Sequence, residues 1–309
     1  MSGQIRKRFR RGVAQRSVEV IRDLPVASPL SARPGRPLAL SRKLTLSRKL
    51  VLSRKTALAQ GEWPDEWEAL RLVSSGTRRH FLFGAPLANF FRHDPAARAF
   101  GLLRTRLLQT LRANGWSRVA IASPTPGCGS TFTAVNLAQS LARVPGSRTV
   151  LMDINHRNPG IAAMLDMEDI GKDAGDMPGF LRGEVPVTRH LMRVSKTLAL
   201  GLTAGPARNS AEILHDARCG AALNRMTKAL RPDVVLYDLP PVLTCDDLPA
   251  FLPHVDGVLL VADGTQTMAG QIAACKRIFE GQTPVLGVIL NRARPSNHAR
   301  PSAAQEGGF

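Results

Sequence analysis

Three segments of the 309-residue sequence carry residues suited to phosphate and metal chemistry. The segment Pro126-Gly127-Cys128-Gly129-Ser130-Thr131 is rich in glycine, and glycines there let backbone N–H groups approach a phosphate at the start of a helix. Asp153 and Asp238 each end an apolar run, where a carboxylate can hold a divalent cation or accept a proton. Each feature alone is typical of ordinary turns. Their order along one stretch of chain favours a nucleotide site.

The elements that must position these residues follow from the hydrophobic pattern. Short apolar, β-branched runs predict strands at residues 118–122, 149–153, 197–202, 233–237, 257–261 and 284–290. Helical periodicity predicts helices at residues 95–114, 131–144, 210–230, 248–252 and 268–280. Buried strands alternating with helices indicate an α/β fold, with a mostly parallel sheet covered by helices on both faces. Ligands of such sheets bind at the carboxyl ends of the strands.

The net charge of +18 is concentrated at one end of the chain. Residues 1–60 contain 15 Lys and Arg against two acids, a net charge of +13. We therefore expect a basic, disordered arm at 1–60, a linker at 61–94, a nucleotide-binding domain at 95–292 and a disordered tail at 293–309. The linker pattern predicts a short helix near residues 64–70, with Trp63 and Trp67 as packing anchors.

The arm contains a six-residue repeat. Leu40-Ser41-Arg42-Lys43-Leu44-Thr45 is followed by a near copy at 46–51 and a partial copy at 52–55. A period of six keeps one face on a strand but not on a helix. Two interpretations remain open: an adhesive segment for an anionic membrane surface or a partner's sheet edge, and a disordered arm grown by duplication. Because the charge excess lies mainly in this arm, nucleic acid is not an expected partner of the domain.

Several classes of protein do not fit the composition. No run of 18 apolar residues occurs, and no apolar stretch follows the basic N-terminus, so neither a transmembrane helix nor a secretory signal is expected. The four cysteines lie far apart, without the spacing of a zinc motif or a disulfide framework. A cytoplasmic location is the resulting expectation.

The chain resembles a known family in six segments that occur in the same order. It is similar to the cytoplasmic P-loop domain of bacterial tyrosine kinases of polysaccharide export, the CpsD/CapB and Wzc type, within the Mrp/MinD class. The resemblance covers about residues 95–292. Its segments are a helix at 100–105, a Walker A loop and helix at 129–138, a second Walker A-type motif at 150–159, an A-G-P segment at 204–214, a Walker B motif at 238–242 and a strand at 287–291 that ends in Asn.

The resemblance implies ATP and Mg²⁺ as cofactors. It assigns nucleotide binding to residues in two segments: Pro126, Gly127, Cys128, Gly129, Ser130, Thr131, Phe132 and Asn291. Thr131 and Asp238 would hold the metal, and Asp153 and Asp238 would take the catalytic roles. The expected partner is a transmembrane chain-length regulator, or co-polymerase. This implies a cytoplasmic domain at the inner membrane, with the basic arm as a second contact to anionic lipid. A homo-oligomer is left open.

The sequence also departs from the family pattern where charge matters. The family has Lys where this chain has Ser130, and Asn155 replaces a second Asp. Serine cannot offset phosphate charge, so weak or absent phosphoryl transfer is expected. The family has a tyrosine-rich C-terminal tail, whereas this chain has a single tyrosine, Tyr237, which lies in a predicted strand. Only Arg104 matches the family's ring-forming motif, whose other positions hold Arg98 and Gly101.

Three hypotheses follow from the sequence. The first is a regulatory, pseudokinase-like member of the polysaccharide-export family. The second is an active ATP-dependent tyrosine kinase of the same family that uses a substitute cation. The third is a positioning ATPase of the ParA/MinD type. The A-G-P segment favours the first two over the third, and Ser130 favours the first over the second.

Overall fold

A computed structural model describes residues 18–20, 66–73, 95–169, 176–207 and 209–293. The strands are β1 Val18–Val20, β2 Arg71–Leu72, β3 Arg118–Ala122, β4 Thr149–Asp153, β5 Leu191–Arg193, β6 Leu198–Gly201, β7 Val234–Asp238, β8 Gly257–Asp263 and β9 Val285–Asn291. The helices are α1 Glu66–Ala69, α2 Pro95–Asn114, α3 Ser130–Ala142, α4 Ile161–Met164, α5 Met177–Leu181, α6 Val187–His190, α7 Ser210–His215, α8 Ala217–Leu230, α9 Asp247–Phe251 and α10 Ala269–Phe279. A 3₁₀ turn, Leu252–His254, follows α9.

Within these residues the strands form one sheet in the order β1-β9-β8-β3-β7-β4-β6-β5-β2. The six strands from β9 to β6 run parallel. β5 is antiparallel to β6, β2 is parallel to β5, and β1 is antiparallel to β9. From β3 the chain passes over β7 to β4, and from β7 it returns past β3 to β8. The carboxyl ends of β3 and its neighbours therefore lie at the switch point of the sheet, where ligands of such folds bind.

Each central strand buries both faces, because alternate residues enter two separate cores. Val119 and Ile121 of β3 pack in one core with α2 and α3, whereas Ala120 and Ala122 pack in the other with α7, α8, α9 and α10. The predicted mostly parallel sheet with helices on both faces is confirmed.

Helix α2 has the bounds expected from its pattern. Its apolar stripe of Phe100, Leu103, Leu107 and Leu111 is buried against the sheet. Gly115 follows with a φ of 68°, a left-handed conformation that ends a helix readily in glycine. Trp67 of α1 is fully buried and its indole N–H donates to the Lys196 carbonyl oxygen, as expected of a packing anchor. Trp63 lies outside the described residues.

The structure corrects one predicted helix. The expected helix at 210–230 is two helices, because Asp216 has extended backbone angles between α7 and α8. The Asp216 carboxylate accepts a hydrogen bond from the Arg218 backbone N–H at 2.8 Å and so caps α8. A helical pattern of apolar residues continues across the break, which is why periodicity alone did not show it.

Three short strands were not expected from the sequence. β2 and β5 extend one edge of the sheet and contain two and three residues, too short for a period of two to be read. β1 lies within the predicted disordered arm and pairs with β9 at the other edge. The rest of the arm, including the repeat, and the predicted tail at 294–309 lie outside the described residues.

Candidate functional site

The loop between β3 and α3, residues 123–129, is shaped by glycines in left-handed conformations. Gly127 has a φ of 82° and Gly129 a φ of 91°. A Cβ atom at Gly129 would lie 2.2 Å from the side-chain Nδ2 of Asn291. Position 129 therefore requires glycine for two reasons, its backbone conformation and its contact with Asn291. We call residues 123–129 the glycine loop.

The last residue of β9, Asn291, and the next residue, Arg292, each donate a hydrogen bond to the glycine loop. The Asn291 amide Nδ2 donates to the Cys128 carbonyl oxygen at 2.8 Å, and Arg292 donates to the Gly127 carbonyl oxygen at 3.1 Å. The Cys128 thiol is buried and lies 3.5 Å from the Thr125 hydroxyl and 3.6 Å from the Thr267 hydroxyl. Because these contacts tie two loop carbonyls to residues at the end of β9, they restrain the loop conformation.

Helix α3 begins directly after the loop. Its N-cap residue is Gly129, and no side chain caps the first turn. The first backbone N–H groups of a helix have no partner within the helix, and the helix dipole gives them partial positive charge. The Gly129 carbonyl accepts bonds from the Thr133 N–H and hydroxyl, which turns the carbonyl into the helix. This end of the helix suits an anion.

Two buried carboxyl groups lie beside this helix end. Asp153 ends β4, Asp238 ends β7, and the two residues are paired in the parallel register. Both are fully buried. Oδ2 of Asp153 accepts bonds from the Gly160 and Ile161 N–H groups, each at 3.1 Å. Oδ1 of Asp153 and both carboxyl oxygens of Asp238 have no hydrogen-bond partner of normal geometry among the described residues.

Burial shifts the titration of both members of this pair. Burial raises the pKa of Asp153 to about 7, against the lowering effect of bonds from the Ile161 and Gly160 N–H groups. Burial raises the pKa of Asp238 well above its usual value, and the charge of Asp153 raises it further. The Thr131 hydroxyl lies close enough to lower the pKa of Asp238 in part. Two carboxylates this close favour sharing a proton or a cation.

Thr131 connects the acid pair to the loop. Its side chain approaches Gly160, where a Cβ atom would lie 3.3 Å from Cγ2 and 3.6 Å from the hydroxyl. Gly160 in turn donates to Asp153. Thr131, Asp153 and Asp238 thus meet at one point, as the sequence interpretation requires of a metal site.

Other predicted residues lie in the same region but have structural contacts of their own. Phe132 is buried and packs edge-to-face on Phe100, with ring centroids 6.2 Å apart. Ser130 is half-buried at the first position of α3. Pro126 is exposed in the loop. Asn155 is buried, and its Oδ1 accepts from the Asn158 N–H at 3.1 Å, so this amide stabilises its own turn.

The sequence reading missed two residues at the edge of the site. Asp263 ends β8 and accepts bonds from the Thr265 N–H and hydroxyl and from the Arg292 guanidinium. It is a strand-end acid like Asp153 and Asp238, but the predicted strand stopped at residue 261. Arg292 has a φ of 57°, unusual for a residue with a side chain. The sequence could have indicated Arg292, because it directly follows Asn291, which was assigned to nucleotide binding.

The residues present fit a magnesium ion and part of a nucleoside triphosphate site. Buried carboxyl oxygens without hydrogen-bond partners, next to a threonine hydroxyl, match the hard oxygen ligands that Mg²⁺ prefers. The glycine loop and the uncapped start of α3 fit a phosphate chain. The positively charged side chain that would bind the phosphates is missing, because position 130 is serine and no lysine occurs between residues 56 and 171.

The comparisons agree with this architecture. Residues 119–305 match the family of CobQ/CobB/MinD/ParA nucleotide binding domains. EpsB of Ralstonia nicotianae is 28% identical over 220 residues, which cover 69% of this chain and 28% of that protein. The succinoglycan biosynthesis transport protein ExoP of Rhizobium meliloti is 28% identical over 179 residues, covering 56% of this chain and 22% of that protein. The solved VpsO kinase domain superposes with a TM-score of 0.55 at 26% identity, covering 63% of this chain and 93% of that chain.

EpsB is named as a putative tyrosine-protein kinase, ExoP as a succinoglycan biosynthesis transport protein and VpsO as a kinase domain, so the expected resemblance to bacterial tyrosine kinases of polysaccharide export is confirmed. The chain spans about a quarter of the length of EpsB and ExoP. Within the described residues, no helix is both long enough and apolar enough to span a bilayer.

Proposed function

The chain belongs to the family of CobQ/CobB/MinD/ParA nucleotide binding domains, and from this premise we propose that it is a regulatory member of an exopolysaccharide export system. In this role it binds a nucleotide but transfers phosphoryl groups weakly or not at all. The observation that carries the proposal is Ser130, at the position of the family's phosphate-binding lysine, in a site whose loop and acid pair are otherwise complete.

The binding part of the proposal rests on the loop and the acid pair. Backbone N–H groups at residues 127–132 would receive the phosphates, and Thr131 and Asp238 would hold Mg²⁺ with Asp153 beside them. One N–H of the Asn291 side-chain amide already donates to the Cys128 carbonyl oxygen. Asn291 would therefore contact the base through the other hydrogen-bonding positions of that amide. Magnesium ATP, when bound, would supply the transferable phosphoryl group.

The loss of catalysis follows from charge. The transferring phosphoryl group spreads negative charge over its oxygens, and fixed cations stabilise that charge. A serine hydroxyl offers one hydrogen bond and no positive charge. Removal of one preorganised clamp typically lowers the rate by two or more powers of ten. Asn155 cannot act as a base in place of an aspartate.

The single tyrosine supports a regulatory role. Tyr237 is fully buried in β7 and packs edge-to-face on Phe251, with ring centroids 5.0 Å apart. Its hydroxyl cannot reach a nucleotide without unfolding the central sheet. Within these 309 residues, no other tyrosine could accept a phosphoryl group.

The proposed setting is the cytoplasmic side of the inner membrane, against a transmembrane chain-length regulator. Support comes from the similarity to EpsB and ExoP, the second of which is named for succinoglycan transport. A ring formed through the family motif has little support, because the Arg104 guanidinium donates to the Ser140 carbonyl within the same chain. A homo-oligomer through other surfaces is open to measurement.

The decisive experiment compares the unaltered protein with Ser130→Lys and, as a matched control, Ser130→Ala. We expect measurable ATP binding by calorimetry in the unaltered protein, at least tenfold tighter binding in Ser130→Lys, and little change in Ser130→Ala. We also expect phosphoryl transfer to an added tyrosine substrate only in Ser130→Lys. Mg²⁺-dependent transfer by the unaltered protein at rates matching Ser130→Lys would contradict the regulatory role and favour an active kinase.

A positioning ATPase of the ParA/MinD type is the other candidate. The family match includes such proteins, whereas the relatives compared above belong to exopolysaccharide systems. Nucleotide-dependent dimerisation with vesicle or DNA binding would favour the positioning ATPase.

A further inference from the structure

Helix α2 presents a long exposed stripe on the side that faces away from the sheet. Its other side is the apolar stripe that packs on the sheet. The exposed residues recur at steps of four and three, which places them on one line along the helix: Arg98, Leu102, Thr105, Gln109 and Arg112. At 1.5 Å per residue this line is about 21 Å long. Arg106 is half-buried beside it, and we call these six residues the α2 face.

The α2 face carries positive charge without acidic partners. Residues 95–152 contain seven Arg and no Asp or Glu. Within the parts of the chain that the structure describes, the three arginines of the α2 face form no ion pair. Arginines of other surface elements do have acidic partners, as in the pairs Arg182–Glu184 and Arg218–Asp216. The charge of the α2 face is therefore left to an external partner.

The neighbouring end of helix α3 adds positive charge beside this face. The Arg104 guanidinium, on the flank of α2, donates to the Ser140 carbonyl oxygen at 3.0 Å. Partial burial lowers the pKa of Arg143, the residue after α3, and the charge of Arg104 lowers it further. That effect requires the two guanidinium groups to lie near each other. Like charges concentrated on one surface attract anions from a distance.

The shape of the α2 face favours a flat partner. Residues on either side of the exposed line, such as Leu108 and Thr110, are half-buried, so the line is the crest of a convex surface. A convex surface does not enclose a small anion, whose sites are concave. Leu102 lies among the arginines with 49% of its surface exposed. An apolar side chain among cations is typical of helices that lie on anionic bilayers.

We propose that the α2 face is a docking surface for an anionic membrane, so that the folded part of the chain itself contacts lipid headgroups. The feature that matches the bilayer is the unpaired charge of the three arginines along one line. The inference goes beyond the proposed function, because it does not require a nucleotide. It is also distinct from the contact expected of the arm, because every residue of the α2 face belongs to one helix.

Such a surface has a distinct physical signature. Its charges are exposed to solvent, so salt screens their attraction to lipid over about 8 Å at physiological ionic strength. Retention on vesicles should therefore fall as salt rises. Attraction to a headgroup layer depends on charge more than on the fixed geometry of a guanidinium, so lysine should replace arginine at these positions.

The experiment measures retention of the full-length protein on vesicles that contain phosphatidylserine. In the first variant the three arginines of the α2 face are changed to Gln, and in the second they are changed to Lys. The matched control changes Lys228 of α8 and Lys276 and Arg277 of α10 to Gln, which removes the same charge from exposed positions on the opposite face of the sheet. We expect at least tenfold less retention of the first variant and little change in the second variant and the control.

The two Gln variants are also made in a chain whose repeat at 40–55 has Gln at its six Lys and Arg positions. In this background attraction by the repeat cannot hide the contribution of the α2 face. We expect the same ratio between the first variant and the control. Thermal unfolding of all variants checks that the exposed substitutions leave the fold intact.

Several outcomes would overturn the inference. Equal losses in the first variant and the control would show attraction by net charge alone. Unchanged retention of the first variant in both backgrounds would show that the α2 face does not touch lipid, and equal losses in the Gln and Lys variants would show that charge is not the basis. Loss of DNA binding or of self-association in the first variant, with vesicle retention unchanged, would assign the face to nucleic acid or to a second copy. Each of these results leaves the nucleotide site as proposed, because ATP takes no part in the measurement.

Discussion

At the scale of single residues, Gly129 carries the tightest constraint in the site. Its φ of 91° is left-handed, and a Cβ atom there would meet the Asn291 amide at 2.2 Å. Gly127 has a similar φ of 82°, but no atom lies within 4 Å of its would-be Cβ. Substitution of Gly127 by alanine would therefore introduce backbone strain alone, whereas the same substitution at Gly129 would add a steric conflict.

We predict that Gly129→Ala lowers the free energy of unfolding by about 2–4 kcal/mol, and Gly127→Ala by about 1–2 kcal/mol. Only Gly129→Ala displaces Asn291 from Cys128 and weakens nucleotide binding. Urea unfolding measures the first effect and calorimetry with ATP the second. Equal losses in both variants would show that backbone strain alone sets the requirement.

The acid pair gives a prediction for pH. Burial raises the pKa of Asp153 from 3.8 to about 7, so the folded protein binds more protons than the unfolded chain between these values. Stability from this group is complete below about pH 4 and is lost as the pH rises through 7. The pKa of Asp238 is also raised by burial, so this group loses stability in the same direction and its removal should reduce the total loss.

We therefore expect Asp238→Asn to lose less stability than the unaltered protein between pH 5 and pH 8, by about 1 kcal/mol or more. Urea unfolding at several pH values measures the difference. Glu212→Gln, which removes an exposed carboxylate, serves as the control and should leave the pH dependence unchanged. Millimolar Mg²⁺ should stabilise the unaltered protein above pH 7 and have less effect on Asp238→Asn. Parallel pH curves for Asp238→Asn and the unaltered protein would contradict the prediction.

At the scale of elements, an ion pair joins the loop after β4 to helix α9. Arg157 Nε donates to Asp247 Oδ2 at 2.6 Å, and its Nη2 donates to Oδ1 at 3.2 Å. Asp247 is fully buried, whereas the Arg157 side chain is 46% exposed. A buried carboxylate depends on this partner more than an exposed one does.

We predict that Arg157→Gln lowers the free energy of unfolding by about 1–3 kcal/mol, because Asp247 keeps its burial and loses its cation. Arg182→Gln, which breaks the exposed pair with Glu184, is the matched control and should change little. Thermal unfolding of both variants checks the difference. Similar small effects would show that solvent reaches Asp247 through the exposed side of the pair.

At the scale of the whole molecule, the repeat at residues 40–55 carries six Lys and Arg and no acid. This charge makes the repeat a candidate contact for an anionic membrane surface. Each Lys or Arg near an anionic membrane contributes on the order of 1 kcal/mol of attraction. Six such residues would be enough for retention on vesicles.

We predict that the unaltered protein sediments with vesicles containing phosphatidylserine. A repeat variant, in which six bases are changed to Gln, should be retained at least tenfold less; these bases are Arg42, Lys43, Arg48, Lys49, Arg54 and Lys55. Neutral vesicles provide the control. Full retention of the repeat variant would reject a membrane role for the repeat.

The sequence alone determined the class of the fold and was enough to propose most residues of the candidate site. Apolar runs with glycine-rich and acidic ends were enough to locate β3, β4 and β7, with bounds correct to within one residue. These signals are local, because the pattern of adjacent residues indicates both the burial of a strand and the conformation of the loop that follows it. The substitution at Ser130 needed no coordinates.

Only the tertiary structure showed which distant residues lie close together. No spacing in the sequence relates Gly129 to Asn291, Arg292 to Asp263, or Val18 to Asn291, because these contacts depend on strand order and register. The break at Asp216 and the short edge strands were also decided by packing and not by periodicity. Pairing across a sheet joins distant segments, and local pattern does not encode the order in which strands assemble.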